Sequence, residues 1–244
     1  MGKLKITIAS EYQKNKALQQ FVEALPLVFE KEGALVYDKR NVIKCFSPDA
    51  SGDILSNVIV KQYKRPNLIQ RIVYSFFRRS KAERSFRNAA ELRNRGIDTP
   101  REIAFLEQWS GGLFNYGYYV SDADYAPPIY DRLTAPPEFD RTMASDFAAF
   151  AVELHVKGIL HHDLNSTNVL YHNCGDHFHF SVIDINRMRI FPAGKQPSRK
   201  DCLENLTRFT GQMDLFEYVL RCYAGKRGWD IESTVRNGRA AKIR

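Results

Sequence analysis

The chain has 244 residues, 44% of them apolar, enough for one large domain or two small lobes around an interface. No run of 18 apolar residues occurs, and Met1-Gly-Lys-Leu-Lys-Ile-Thr-Ile has no signal-peptide core, so a membrane-spanning helix is excluded and a cytoplasmic chain is expected. The net charge of +8 favours anionic partners, while Cys45, Cys174, Cys202 and Cys222 form no Cys-x-x-Cys pair and suggest neither zinc nor a disulfide framework.

Residues 11 to 32 carry a helical stripe of Leu18, Phe21, Val22 and Leu25, and Pro26 is expected to kink or end it. Ala34–Asp38 and Val42–Phe46 read as two strands of a hairpin joined through Lys39 and Arg40. Ser47 to Asp53 is a turn-rich loop, and Asn57 to Tyr63 is a third strand carrying Lys61 near its end. From Lys64 to Arg79 cations alternate with Leu68, Ile69, Ile72, Val73 and Phe76 on one helical stripe. Such a segment can lie on an anionic membrane surface, but packing of its apolar face on its own domain is the favoured expectation.

A helix opens at Ser80 and ends before Gly96, with Ala82, Phe86, Ala89 and Ala90 inward and Ser80 and Glu83 spaced as a capping box. Two strands follow, 102 to 108 and 114 to 120, around Gly111-Gly112. Ser121 to Pro128 reads as a hinge, giving an expected division into residues 1–120 and 121–244. A strong helix from Asp140 to Lys157 ends at Gly158, the last forty residues read as helices, and the basic tail after Val235 is expected to be loose.

Chemistry concentrates in His161-His-Asp163-Leu-Asn-Ser-Thr-Asn168 and, sixteen residues on, in Asp184 at the end of the apolar run Phe180-Ser-Val-Ile183. An acid five residues before an amide, then an aspartate after a strand, is the order of the catalytic loop and metal-binding aspartate of kinase-like folds. Asp163 would orient or accept the proton of an attacking hydroxyl, and Asn168 and Asp184 would supply hard oxygen ligands to Mg²⁺. Lys61, in Val-Ile-Val-Lys on a third strand, fits the lysine that holds ATP α- and β-phosphates. Lys39 and Arg40 stand where a phosphate-covering loop usually has glycines, so either the backbone stays farther from the nucleotide or basic side chains replace some of the backbone amides. Glu83 is the first choice of partner for Lys61, with Glu91 as the alternative. His177 and His179 alternate with Phe178 and Phe180, which predicts a solvent face more than a metal site. Arg187, Arg189, Lys195, Arg199 and Lys200 form either an acceptor-binding set or a solvated loop.

With Val-Ile-Val-Lys61, the helix from Ser80 followed by Gly96-Ile-Asp-Thr-Pro100, the Asp163–Asn168 loop and Val182-Ile-Asp184, the chain resembles the lipopolysaccharide core kinases over residues 34 to 210. These include the 3-deoxy-D-manno-octulosonic acid (Kdo) kinases and core heptose kinases of Gram-negative bacteria. The resemblance implies an α+β, two-lobed protein-kinase-like fold with a β-rich N-lobe and a helical C-lobe. It implies ATP and Mg²⁺ as cofactors and the Kdo of the inner core as acceptor. It further implies work at the anionic inner face of the cytoplasmic membrane as a peripheral protein, with no nucleic acid and no obligate protein partner. His162, Asn165 and Ile185-Asn186 depart from the protein-kinase pattern and favour a sugar or small molecule over a protein substrate. The alternatives are another small-molecule or protein acceptor, or a nucleotide-binding scaffold without turnover.

Overall fold

The computed structural model describes residues 3–47, 57–209 and 211–243; residues 48–53 of the expected turn-rich loop lie outside the described set. The fold is α+β, and the chain forms two compact units, Met1–Arg93 with Pro100–Asp124, and Asn94–Thr99 with Tyr125–Arg244. The short segment Asn94–Thr99 thus belongs to the second unit, which a single cut at residue 120 does not capture.

The first unit contains β1 (Leu4–Ile8), α1 (Lys16–Val28), β2 (Ala34–Asp38), β3 (Val42–Phe46), β4 (Val58–Tyr63), α2 (Leu68–Phe76), α3 (Lys81–Asn94), β5 (Glu102–Ser110) and β6 (Leu113–Asp122). Its strands make one antiparallel sheet in the order β1-β5-β6-β4-β3-β2. Alternation along each strand sends Val58, Val60, Leu106, Tyr118 and Val120 to one face, packed against Leu18, Val22, Leu25 and Phe29 of the α1 region. Tyr63, Phe105 and Tyr119 point to the other face, against Ala82 and Phe86 of α3. α1 runs through Pro26 to Val28 without ending there, because Pro26 sits in the last turn and Phe29 N–H still reaches Leu25 O at 2.9 Å.

α2 reverses the favoured expectation for its apolar stripe. None of its residues is buried; Leu68, Ile69, Ile72 and Phe76 face solvent. Val73, the fifth residue of the stripe, is half-buried, and the side turned to β6 makes polar as well as aromatic contacts: Arg71 Nε donates to Phe114 O at 2.8 Å, and Phe114 N–H donates to Ser75 Oγ at 2.9 Å. Tyr74 stacks edge-on to Phe114.

The second unit contains α4 (Tyr130–Leu133), α5 (Arg141–Val156), β7 (Ile159–Leu160), β8 (Val169–Asn173), β9 (Phe178–Val182), β10 (Arg189–Ile190), α6 (Arg199–Leu206), α7 (Met213–Arg227) and α8 (Ile231–Ile243). Asp140 caps α5 by accepting from Met143 N–H, and Phe147, Phe150, Ala151 and Leu154 are buried as their spacing predicts. Phe147 stacks on Phe209 and meets Phe180 edge-on, tying α5 to β9. The basic tail is not loose. It forms α8, with Val235 buried and Gly238 so close to α7 that a Cβ there would meet Leu220 Cδ1 at 2.5 Å. Lys242 Nζ donates to Phe209 O at 2.6 Å. Among the described residues no helix is long and apolar enough to cross a membrane.

Candidate active site

The second unit brings Asp163, Asn168 and Asp184 together through one hairpin. β8 pairs with β9 in the register Val169↔Val182, and Ile183 N–H donates to Asn168 O at 3.0 Å, so Asp184 emerges beside Asn168. The far edge of β9 is pinned by the segment after α3: Val182 N–H donates to Asp98 O at 3.0 Å, and Thr99 Oγ1 donates to Val182 O at 2.7 Å. Asn168 Nδ2 donates to Asp163 O at 2.9 Å, closing the loop and fixing which way the amide oxygen faces. Asn165 Nδ2 reaches Asp163 Oδ1 at 3.3 Å while its Oδ1 accepts from Thr167 N–H and Oγ1. Asn165, which the sequence marks only as a departure, thus touches the acid itself.

Asp184 has φ 54° and ψ 44° and is the one non-glycine residue with positive φ among the described residues. Aspartate tolerates the left-handed region better than most side chains, yet such backbone is characteristic of sites where position outweighs comfort. Asn186, buried, donates from Nδ2 to Asp184 Oδ1 at 2.6 Å and fixes the carboxylate from the following turn.

Beneath the loop lies a buried polar relay that single residues in the sequence do not reveal. His161 Nε2–H donates to Ile183 O at 2.9 Å, which leaves Nδ1 to accept Asp163 N–H at 3.2 Å. Asn205 of α6 donates from Nδ2 to His161 O at 2.8 Å. Its Oδ1 then accepts from His155 Nε2–H at 3.0 Å, and His155 Nδ1 accepts from Tyr223 O–H at 2.8 Å. The donors therefore run one way from Tyr223 of α7 through His155 of α5 and Asn205 of α6 to the main-chain carbonyl of His161, whose ring separately donates to the residue before Asp184 and accepts the N–H of Asp163. Burial lowers the His155 pKa to about 4, and burial also pulls that of His161 down, so both rings are neutral at pH 7. His162, at the usual arginine position, is exposed; partial desolvation, then Arg208 and Arg189, hold its pKa below the ordinary histidine value.

In the first unit Lys61 pairs across the sheet with Ile43 and Tyr119 and points to the α3 face, its Nζ 5.3 Å from the Tyr63 ring centre. Glu83 stands elsewhere on that face. Its carboxylate meets Arg87 Nε at 2.8 Å, Arg79 Nε at 3.3 Å and Lys5 Nζ of β1 at 3.5 Å. β1 and β4 are separated by β5 and β6, three spacings of about 4.8 Å each. The side of α3 that meets β4 is marked instead by Ser85, hydrogen-bonded to Tyr63 at 2.7 Å. Ser80 Oγ accepts Glu83 N–H at 3.1 Å, the capping half of the expected box. Lys39 and Arg40 lie exposed in the β2–β3 turn, and Arg40 lines a cleft with Lys64, Arg65 and Lys81.

His177 and His179 are exposed, with Asp176 and Asp98 as partners. Arg199 stacks on Trp229 and donates to Thr234 Oγ1 at 2.8 Å, which ties it to the helical core of its unit. No cluster of three or more His, Cys, Asp or Glu side chains suited to a metal occurs among the described residues. Asn168 and Asp184 nevertheless offer the hard oxygen donors that suit Mg²⁺, an ion that keeps waters and phosphate oxygens as its other ligands.

An acid held by its own loop, an amide and an aspartate aligned by a hairpin are the parts of a kinase-type phosphotransferase. The sequence pattern described as "Lipopolysaccharide kinase (Kdo/WaaP) family" matches residues 50–221, and the chain belongs to that family. No curated protein matches it. A solved structure, "WaaP in complex with acyl carrier protein", shares the fold with a TM-score of 0.60 at 15% identity, covering 97% of this chain and 94% of that one. That complex overturns the expectation of no obligate protein partner, since a protein of this fold has been solved with one bound.

Proposed function

We propose that the protein is an ATP-dependent kinase that phosphorylates a sugar hydroxyl of the lipopolysaccharide inner core, that of Kdo. Family membership supports the phosphotransferase class, and the geometry around Asp163 carries the residue assignments. Asp163 orients the acceptor hydroxyl and accepts its proton; Asn165 steadies the carboxylate. Asn168 and Asp184 would hold Mg²⁺, which when bound neutralises charge between the β- and γ-phosphates. Lys61 holds the α- and β-phosphates, with Lys39 and Arg40 covering them. Of the two glutamates of α3, Glu83 is already held by Arg79, Arg87 and Lys5 of β1, so we assign Glu91 as the partner that steadies Lys61. Most of the acceleration then comes from positioning and fixed charge. This reading sets the chain at the inner face of the cytoplasmic membrane, where a Kdo-bearing acceptor is made.

The test is transfer from γ-labelled ATP to lipid A precursor with and without Kdo, beside a generic protein substrate. Label on the Kdo-bearing acceptor alone is expected; label on the protein, or on both lipids equally, would refute the acceptor assignment. Because WaaP was solved with acyl carrier protein, each reaction is run with and without that protein.

A further inference from the structure

α2 is an amphipathic helix mounted with its apolar side away from the sheet that carries it. At about 100° per residue, Leu68, Ile69, Ile72 and Phe76 fall within one arc of about 100°, and they are 62, 74, 41 and 68% exposed. Phe77 follows at 81%. These five account for a third of the fifteen exposed large apolar side chains among the described residues, on a stretch of ten residues. The rest of the helix is bound to the protein by the edge-on contact of Tyr74 with Phe114 and by polar contacts. Arg71 Nε and Nη2 donate to Phe114 O and Ser110 O, and Ser75 Oγ accepts from Phe114 N–H. Asn67 caps the first turn by accepting Gln70 N–H at 2.9 Å. The helix is thus held rigidly with its apolar side out, an arrangement the hydrophobic effect opposes unless something covers that side.

The charge around the stripe says what covers it. From Lys64 to Ala82 the sequence has six cations, Lys64, Arg65, Arg71, Arg78, Arg79 and Lys81, and no acid. Lys64, Arg65, Arg71 and Lys81 also line, with Arg40, a cleft of about 520 Å³ under the helix, and no acidic residue is in that lining among the described residues. Apolar side chains presented on one rigid face, cations at both ends of the helix and a cationic cleft behind it fit an anionic bilayer. The apolar stripe enters the boundary of the acyl chains, and the cations meet phosphate headgroups.

We infer that α2, with the cations of Lys64–Arg65 and Arg78–Arg79 at its ends, is the surface by which this protein docks reversibly on an anionic membrane. The inference rests on the proposed function in one respect: an acceptor embedded in a bilayer gives docking its use.

The test uses the full chain and two double variants, Ile69→Ser with Phe76→Ser, and Arg65→Gln with Arg78→Gln. All four residues are exposed, so folding is expected to be unchanged and is checked by thermal melting. Co-sedimentation is measured with vesicles of phosphatidylcholine alone and with about 30% phosphatidylglycerol, at low and high salt. The parent is expected to bind only the anionic vesicles, and high salt to release it. Each cation near the surface is worth about fivefold in affinity, so the arginine pair should cost about 25-fold, and the apolar pair at least tenfold. Absence of parent binding to anionic vesicles, or binding that both variants retain, would overturn the inference. So would binding of an acidic carrier protein through these four residues in place of vesicles. Phosphate transfer to a soluble Kdo analogue separates the two readings. Transfer without vesicle binding refutes docking alone; vesicle binding without transfer to any Kdo acceptor refutes the kinase assignment alone.

Discussion

Asn205 is the narrowest point of the relay that holds the Asp163 loop. Its side chain makes two buried hydrogen bonds, donating to His161 O at 2.8 Å and accepting from His155 Nε2–H at 3.0 Å. Asn205, His155 and His161 are all buried. Replacement by alanine leaves a buried carbonyl and a buried ring N–H without partners. Each such orphan costs about 1–3 kcal/mol, so the loss is about 2–6 kcal/mol, with the lower end reached if water enters the space vacated. Leucine tests the reasoning better, since it keeps the volume and removes both polar atoms. If polar satisfaction matters more than packing, Asn205→Leu should be as destabilised as Asn205→Ala within about 1 kcal/mol by urea denaturation. The turnover number should also fall by more than the unfolded fraction explains, because the Asp163 amide hangs from the His161 ring. An Asn205→Leu variant with parental stability and turnover would refute the argument.

Asp163→Asn should lower transfer at least a hundredfold with nucleotide affinity retained, as expected of a general base, and Asp184→Asn should weaken Mg²⁺-dependent nucleotide binding in calorimetry. Asn165→Ala should reduce the turnover number with little change in nucleotide KM. Glu91→Gln should lower turnover at least tenfold, while Glu83→Gln should shift only the melting temperature; the reverse pattern would return the lysine partner to Glu83. His155 makes stability pH-dependent. Its folded pKa, about 4, lies below the ordinary 6.5, so the unfolded chain takes the proton first and stability is lost as pH falls from 6.5 toward 4. Between pH 7 and 5 this contributes a loss of about 2 kcal/mol, and His155→Gln should remove that part of the acid limb in urea titrations at the two pH values.

The strands, the helices flanked by Gly96 and Gly158 and the acid–amide spacing of the loop are legible in the sequence because each is a local pattern. Five of the six sheet strands of the first unit follow from alternation between turn residues. β1, Leu4-Lys5-Ile6-Thr7-Ile8, alternates as they do but is five residues long with no paired strand near it in sequence, and only the register against β5 gives it a sheet to join. α8 reads as loose because its sequence is basic, whereas its burial depends on Gly238 fitting against Leu220 and on Lys242 reaching the Phe209 carbonyl. The stripe on α2 is visible, but periodicity gives the existence of an apolar side and not its direction. What turns it outward is a set of polar and aromatic contacts to β6, made by residues some forty positions away. Spacing from Ser80 marks Glu83 as a capping residue and leaves its other expected role, partner of Lys61, open; the strand order that sets it over β1 is not a local property.

The relay explains how residues far from the chemistry can decide its geometry. Every titratable member is neutral: burial raises the Tyr223 pKa above its usual value and lowers those of His155 and His161. A neutral imidazole has one donor and one acceptor, so Asn205 Nδ2 on the His161 carbonyl orders the protons of His155 and Tyr223, while the Asp163 N–H and the Ile183 carbonyl order that of the His161 ring. A charged member would open a second arrangement and cost desolvation besides. Held at its main-chain carbonyl by Asn205, His161 places its ring between the Asp163 amide and the Ile183 carbonyl, and these flank the acid and the aspartate after β9. In a reaction whose rate comes from alignment, a displacement of about 1 Å can cost a hundredfold. The helices α5, α6 and α7 therefore belong to the machinery as supports of the loop, and their polar residues are under a constraint that their burial alone would not suggest.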